Sequence, residues 1–274
     1  MPLTLPLLFD TVVEEIGDRL KAIPPLIWVD DEPTEEDLTH ILEQTTASKF
    51  DKHSLKLSMV KELQMGKAKL ICKRTSSVKI LAIVYEDTHI PWEHFSSIFR
   101  AVGDPIGPLW RIVWFANRSK RSIPDEGKEP EREHINGGYT QTCTSRSIVI
   151  YREEEVCRVL VHELLHAACT DKKEYTDIVD IESETESWAE LIWIGILARG
   201  RKSVAHRLWK IQAQWIIDQA NILQGRNNVK DRNSYSWRYT IGRIDFLKSL
   251  GLPFPNVSTR KIDSLRLTCP DLDL

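Results

Sequence analysis

The feature that most narrows what this chain can fold into is His162-Glu163-Leu164-Leu165-His166, set inside an apolar run. Val156, Val159, Leu160, Leu164 and Ala167 surround it, and their period predicts one amphipathic helix from about Arg152 to Ala168. Such a helix is mostly interior, where imidazole and carboxylate groups are costly unless they find partners. Residues four apart share a helix face, so both imidazoles point one way, about one turn apart. That is the spacing at which two histidines grip one metal ion, with Glu163 close enough to reach a water on it. The alternative is a surface helix that carries two histidines by chance, which a chain with eight histidines does on the order of once in a hundred sequences.

A catalytic zinc site needs a third protein ligand and an open position. Four glutamates follow in the stretch from Asp180 to Trp193, where Ile181, Trp188, Leu191, Ile192 and Ile196 form a helical stripe. Glu186 and Glu190 share a face. Glu182 shares it too but falls at the expected frayed start, and Glu184 points elsewhere. Taken alone, these acids read as a solvated helix start favoured by the macrodipole.

In these residues the chain resembles the gluzincins, the thermolysin-like zinc metallopeptidases. Their pattern is H-E-x-x-H, then about twenty residues, then a ligand glutamate on a second helix. Here nineteen residues separate His166 from Glu186. The resemblance implies one Zn2+ ion held by His162, His166 and Glu186, with Glu163 as catalytic base. It also implies that Glu190 accepts the outer N–H of a ligand imidazole, as a Glu where thermolysin itself has Asp. The matching motifs span about thirty residues. Glu182 and Glu190 remain alternative ligands. Cys169 is a rival from the motif helix itself, but it lies about 10 Å along the axis from His162, too far for one ion to bridge easily.

Upstream, Asn136 to Thr144 and Ser145 to Tyr151 read as two short strands. In gluzincins an edge strand beside the zinc pairs with extended substrate, and Gly137, Gly138 and Tyr139 are the candidates here. Glycines there would let a ligand backbone come close, or simply make a turn. The family also brings a Tyr or His from its C-terminal part to the oxyanion. Tyr239 is the first candidate, with Tyr235, His206 and Arg238 behind it. No aminopeptidase-type G-x-M-E-N motif occurs. A fainter likeness, in Gly-Gly-Tyr-Thr and the strand ending at Tyr151-Arg152, is to small predicted metallopeptidases of large DNA viruses; that would allow association with a virion.

The expected architecture is α+β and zincin-like. A small mixed sheet with an edge strand lies beside the motif helix, and a helical C-terminal part follows. The expected divisions are an N-terminal α+β region (1–116), a charged mobile loop or lid (117–134), a catalytic core (135–253) and a tail (254–274). Ser54 to Val60, Ala68 to Lys73, Val78 to Tyr85 and Leu109 to Ala116 read as strands, and Trp237 to Leu250 as one helix.

Composition sets the remaining bounds. A net charge of -3 gives no general pull towards nucleic acid. No apolar run reaches membrane-spanning length, and the first residues lack a signal peptide's charged start, so a cytoplasmic protein is expected. Five cysteines without a C-x-x-C pair read as reduced thiols. The expected activity is zinc-dependent hydrolysis of a peptide or protein substrate. The rival reading is a catalytically silent binding or assembly protein whose nine tryptophans, among them Trp188, Trp193, Trp209 and Trp215, furnish an interface.

Overall fold

The structure, a computed structural model, describes residues 6–46, 48, 50–102, 109–143, 146–170 and 177–272. Thr144 and Ser145, where the two short upstream strands are expected to part, lie outside them. In chain order the elements are α1 (Leu7–Ala22), β1 (Val29–Asp30), α2 (Glu35–Gln44), α3 (Leu55–Gln64), β2 (Ala68–Arg74), β3 (Val78–Tyr85), α4 (Trp92–Val102) and β4 (Trp110–Phe115). Then come α5 (Arg132–Ile135), β5 (Gly138–Thr140), β6 (Ser147–Ile150), α6 (Val156–Ala167), α7 (Ile178–Ala198), α8 (Lys202–Gly225), α9 (Tyr235–Thr240) and α10 (Gly242–Ser249). A 3-10 turn at Pro270–Leu272 closes the list. The class is α+β, as expected. The chain divides into two compact units, one of Pro24–Lys120 with Asn136–Thr170, the other of Met1–Ile23, Arg121–Ile135 and Asp171–Leu274.

The first unit holds a six-stranded mixed sheet in the order β1-β2-β3-β4-β6-β5. β3, β4 and β6 run parallel, while β2 and β5 run antiparallel to their neighbours β3 and β6. Residues Val78 to Val84 of β3 are all buried, the pattern of a strand covered on both faces. Alternation assigns the faces. Leu81, Ile83, Val113, Phe115, Val149 and Tyr151 join Ile41, Leu55, Met59 and Val60 in a single core cluster under α2 and α3. The alternate residues face the other way, where Trp114 meets Phe95 of α4 edge-on and α6 packs on α4, β5 and β6.

One expected strand is a helix. Ser54 to Val60 reads as alternating, yet Leu55, Lys56, Met59 and Val60 are buried, which is a helical stripe. The helix α3 starts because both Asp51 carboxylate oxygens accept backbone N–H bonds, from Leu55 (2.8 Å) and Lys56 (3.1 Å). A cap four residues upstream outweighs a weak period-two pattern.

The second unit is helical, with α1, α7, α8, α9 and α10 around one apolar core. Trp193, Trp209 and Trp215 are buried in that core and Trp188 packs against it, so the aromatic residues expected at an interface are mostly interior. The expected single helix from Trp237 breaks at Ile241 into α9 and α10. There Gly242 lies so close to Ser183 and Trp237 that a Cβ would clash with both. The charged stretch expected as a mobile loop makes long-range hydrogen bonds. Arg121 Nε donates to the Ile135 carbonyl (2.6 Å), and the carbonyls of Pro124, Asp125 and Lys128 converge on Asn227 Nδ2. Likewise the tail has no period but is held by α8: Gln212 bonds Leu267 and Cys269, and Gln219 bonds Ser264 and Arg266. Among the described residues no helix is long and apolar enough to cross a membrane.

Candidate metal centre

The motif helix α6 begins at Val156, four residues later than expected. Arg152, before it, is buried and fully engaged: Nε donates to the Asn136 carbonyl (2.8 Å) and an Nη to that of Ser119 (2.6 Å). Its own carbonyl accepts from the Trp114 indole (2.9 Å). Glu155 turns the chain through a left-handed conformation (φ 60°) into the helix. Every residue of α6 is buried, including His162 (8% exposed), Glu163 (6%) and His166 (8%). The two imidazoles present Nε2 atoms 3.0 Å apart, with ring planes 80° to one another. Both nitrogens thus aim at one point, as the four-residue spacing implies.

Gly138 of β5 lies beneath Glu163. A Cβ built there would sit 3.3 Å from a Glu163 carboxylate oxygen, 2.7 Å from Val159 Cγ1 and 3.0 Å from the Val149 carbonyl oxygen. Gly137, just before the strand, accepts the Tyr151 N–H through its carbonyl (2.8 Å). Tyr139 turns to the opposite face of the sheet, where its hydroxyl accepts from Lys56 Nζ (3.0 Å) and donates to Gln44 Oε1 (2.8 Å). Burial first, then Asp51 and Glu163, hold its phenol well above the usual tyrosine range. Among the described residues β5 pairs with β6 and ends the strand order, and α6 packs against it.

Two cysteines depart from the expected set of reduced thiols. Cys143 and Cys169 are joined in a disulfide, which also removes Cys169 as a thiolate ligand. Cys72, Cys157 and Cys269 are free and buried. Nothing in the spacing of five cysteines announces this pair; only the return of the chain after β5 brings them together.

Helix α7 begins at Ile178, a turn earlier than expected. Asp177 caps it by accepting the Val179 N–H (2.9 Å), and Arg232 bonds both Asp177 and Asp180 across the first turn. Glu182 therefore stands in formed helix rather than at a frayed end. Among the described residues, one group of metal-ligating side chains brings its donor atoms within 4.8 Å of one another: His162, His166 and Glu182. Glu186, the expected ligand, is buried but is not in that group. It lies about 6 Å further along the axis, so it shares the face of Glu182 without sharing its position. Glu190 stands one further turn along α7. It is fully buried, and its carboxylate faces the equally buried Arg243 (3.4 Å), which also bonds the Leu267 carbonyl and Gln219. The Asp177 cap was the signal in the sequence that Glu182 stands within formed helix.

Of the expected oxyanion donors, Tyr239 is buried and accepts a hydrogen bond from Tyr235 (3.3 Å). Burial first, and then the Glu182 carboxylate, keep its phenol protonated far above the usual range. The Tyr235 ring is flanked by the Arg132 and Arg238 guanidinium groups. His206 is committed to Asp10 (2.6 Å).

No family model, no curated protein and no solved structure matches this chain.

Proposed function

We propose that this chain is a zinc-dependent peptidase with a zincin-like, gluzincin-type arrangement, in which Glu182 takes the third ligand position. The observation that carries the reading is the convergence of two imidazole Nε2 atoms, 3.0 Å apart, and the Glu182 carboxylate within 4.8 Å. The donor set suits the ion: two histidines and one glutamate make a catalytic zinc site. Two ligands at about 2.0–2.1 Å in a tetrahedral shell lie roughly 3.3 Å apart, near the spacing of these nitrogens. Zinc bound there would act as a Lewis acid and lower the pKa of a water towards neutrality.

The chain's own residues supply the rest. Glu163 takes the proton of the attacking water and returns it to the leaving amine. Its near-complete burial keeps bulk water from competing for that proton. Tyr239 stays a protonated phenol at any working pH and can donate to the oxyanion. Strand β5 offers its outer backbone edge to an extended peptide, and Gly138 lets the strand lie close against Val159 and Glu163.

The test is elemental analysis with peptide-library profiling of wild type, Glu182→Ala, Glu186→Ala and Glu163→Gln. Wild type is expected to hold one zinc per chain. Glu182→Ala loses it, and Glu186→Ala keeps it. Glu163→Gln keeps zinc and loses on the order of 10²–10⁴ in turnover. Wild-type hydrolysis by purified Glu163→Gln ends the proposal.

A further inference from the structure

The Cys143–Cys169 disulfide joins exposed residues 26 positions apart, both with left-handed backbones (φ 60° and 62°). Cys143 lies in the turn after β5, and Cys169 lies just beyond the last turn of α6. Both cysteine N–H groups donate to the same acceptor, the carbonyl of His166, at 3.3 and 3.1 Å. The bond therefore ties the outgoing end of β5 to the turn that carries a candidate metal ligand.

β5 has reason to depend on such a tie. It is three residues long and forms three register pairs, all with β6. Strands this short hold position poorly on ladder bonds alone. The Lys56–Tyr139–Gln44 contacts secure its middle from the opposite face of the sheet. Its far end has the disulfide and the bond to the His166 carbonyl. Gly138, the residue of β5 that lies against Glu163, is placed by these anchors.

We propose that the Cys143–Cys169 bond is a redox latch on the edge strand: closed, it holds β5 in place for an extended peptide; open, it frees the strand and weakens peptide binding while the metal ligands stay where they are. The proposal rests on the peptidase reading for its consequence, but not for the latch itself. Opening requires two electrons and two protons from a dithiol. A thiolate attacks one sulfur and the other cysteine leaves as thiol. The mixed disulfide is then resolved by the reagent's second thiol, which departs as a cyclic disulfide. The three remaining cysteines are buried and cannot readily exchange into the pair. Burial pushes the Cys72 thiol up to about 11, which leaves it almost no thiolate.

The test compares the full chain oxidised, reduced with dithiothreitol, and as the Cys143→Ser/Cys169→Ser double variant. It reads hydrogen exchange over residues 138–143, zinc content, and KM and kcat on a library-selected peptide. On reduction, exchange over 138–143 is expected to quicken at least tenfold and KM to rise several-fold, with zinc content unchanged and kcat within twofold. The double variant should match the reduced protein with or without dithiothreitol. Exchange unaltered by reduction overturns the latch, and needs no variant to fold. A double variant that still responds to dithiothreitol overturns it as well. If no peptide is cleaved, the peptidase reading fails, while the exchange result still decides for or against the latch.

Discussion

Replacing Gly138 by alanine puts one methyl group where the structure has no room. The added Cβ would lie 2.7 Å from Val159 Cγ1 and 3.0 Å from the Val149 carbonyl oxygen. Carbon atoms pack at about 3.5–4.0 Å, so the first contact is short by roughly 1 Å. Neither neighbour yields easily: Val159 is on the buried helix α6, and the Val149 carbonyl belongs to β6. Relief must come from β5, which is pushed away from α6. Overpacking of this kind costs about 1–3 kcal/mol, which lowers a melting temperature on the order of 5 °C. The displaced strand also withdraws from Glu163, 3.3 Å from the new methyl. Calorimetry, zinc analysis and steady-state kinetics together test this. The expected variant is slightly less stable, matches wild type in zinc content, and loses tenfold or more in kcat/KM. Wild-type stability and wild-type kinetics together would refute the claim that β5 and the motif helix touch through a bare backbone.

Two other expectations follow from buried charge. At the end of the sheet, Lys79 Nζ bridges Asp37 (2.7 Å) and Asp31 (3.0 Å). Burial alone would raise Asp37, but hydrogen bonds from Lys79 and from Thr34 outweigh it and hold the carboxyl below its ordinary 3.8. Its stabilisation is present above pH 3.8 and fades as pH falls through the lower folded value. Burial alone would depress Lys79, but its bonds to Asp37 and Asp31 raise it above 10.5, so its contribution is present below that pH and fades above it. In denaturant titrations the stability gap between wild type and Asp37→Asn should therefore narrow below about pH 4, and a gap that widens on acidification would contradict this. Glu190→Ala strands the buried Arg243, so it should cost about 3–5 kcal/mol of stability while leaving zinc affinity near wild type. A large loss of affinity with unchanged stability would return Glu190 to the imidazole.

Legibility in the sequence followed the range of the interactions. The pairing of His162 with His166 needed only the helical period. β2, β3 and β4 were legible because each is a long run with one clear pattern. Ser54 to Val60 was misread because its helix depends on the Asp51 side chain rather than on its own residues. Glu182 reads as a frayed helix end for a similar reason: a capping aspartate, not the apolar stripe, sets where α7 begins.

The sequence alone determined that two imidazoles and a carboxylate share one buried turn, because a helix relates residues four apart whatever surrounds it. It also determined the α+β class, through the change of period along the chain. Tertiary structure decided the partners of those groups. That Gly138 sits under Glu163, that Glu190 answers to Arg243, and that Cys143 meets Cys169 are contacts between residues distant in the chain. No local pattern encodes them, since each depends on how whole elements stack to bury their apolar faces.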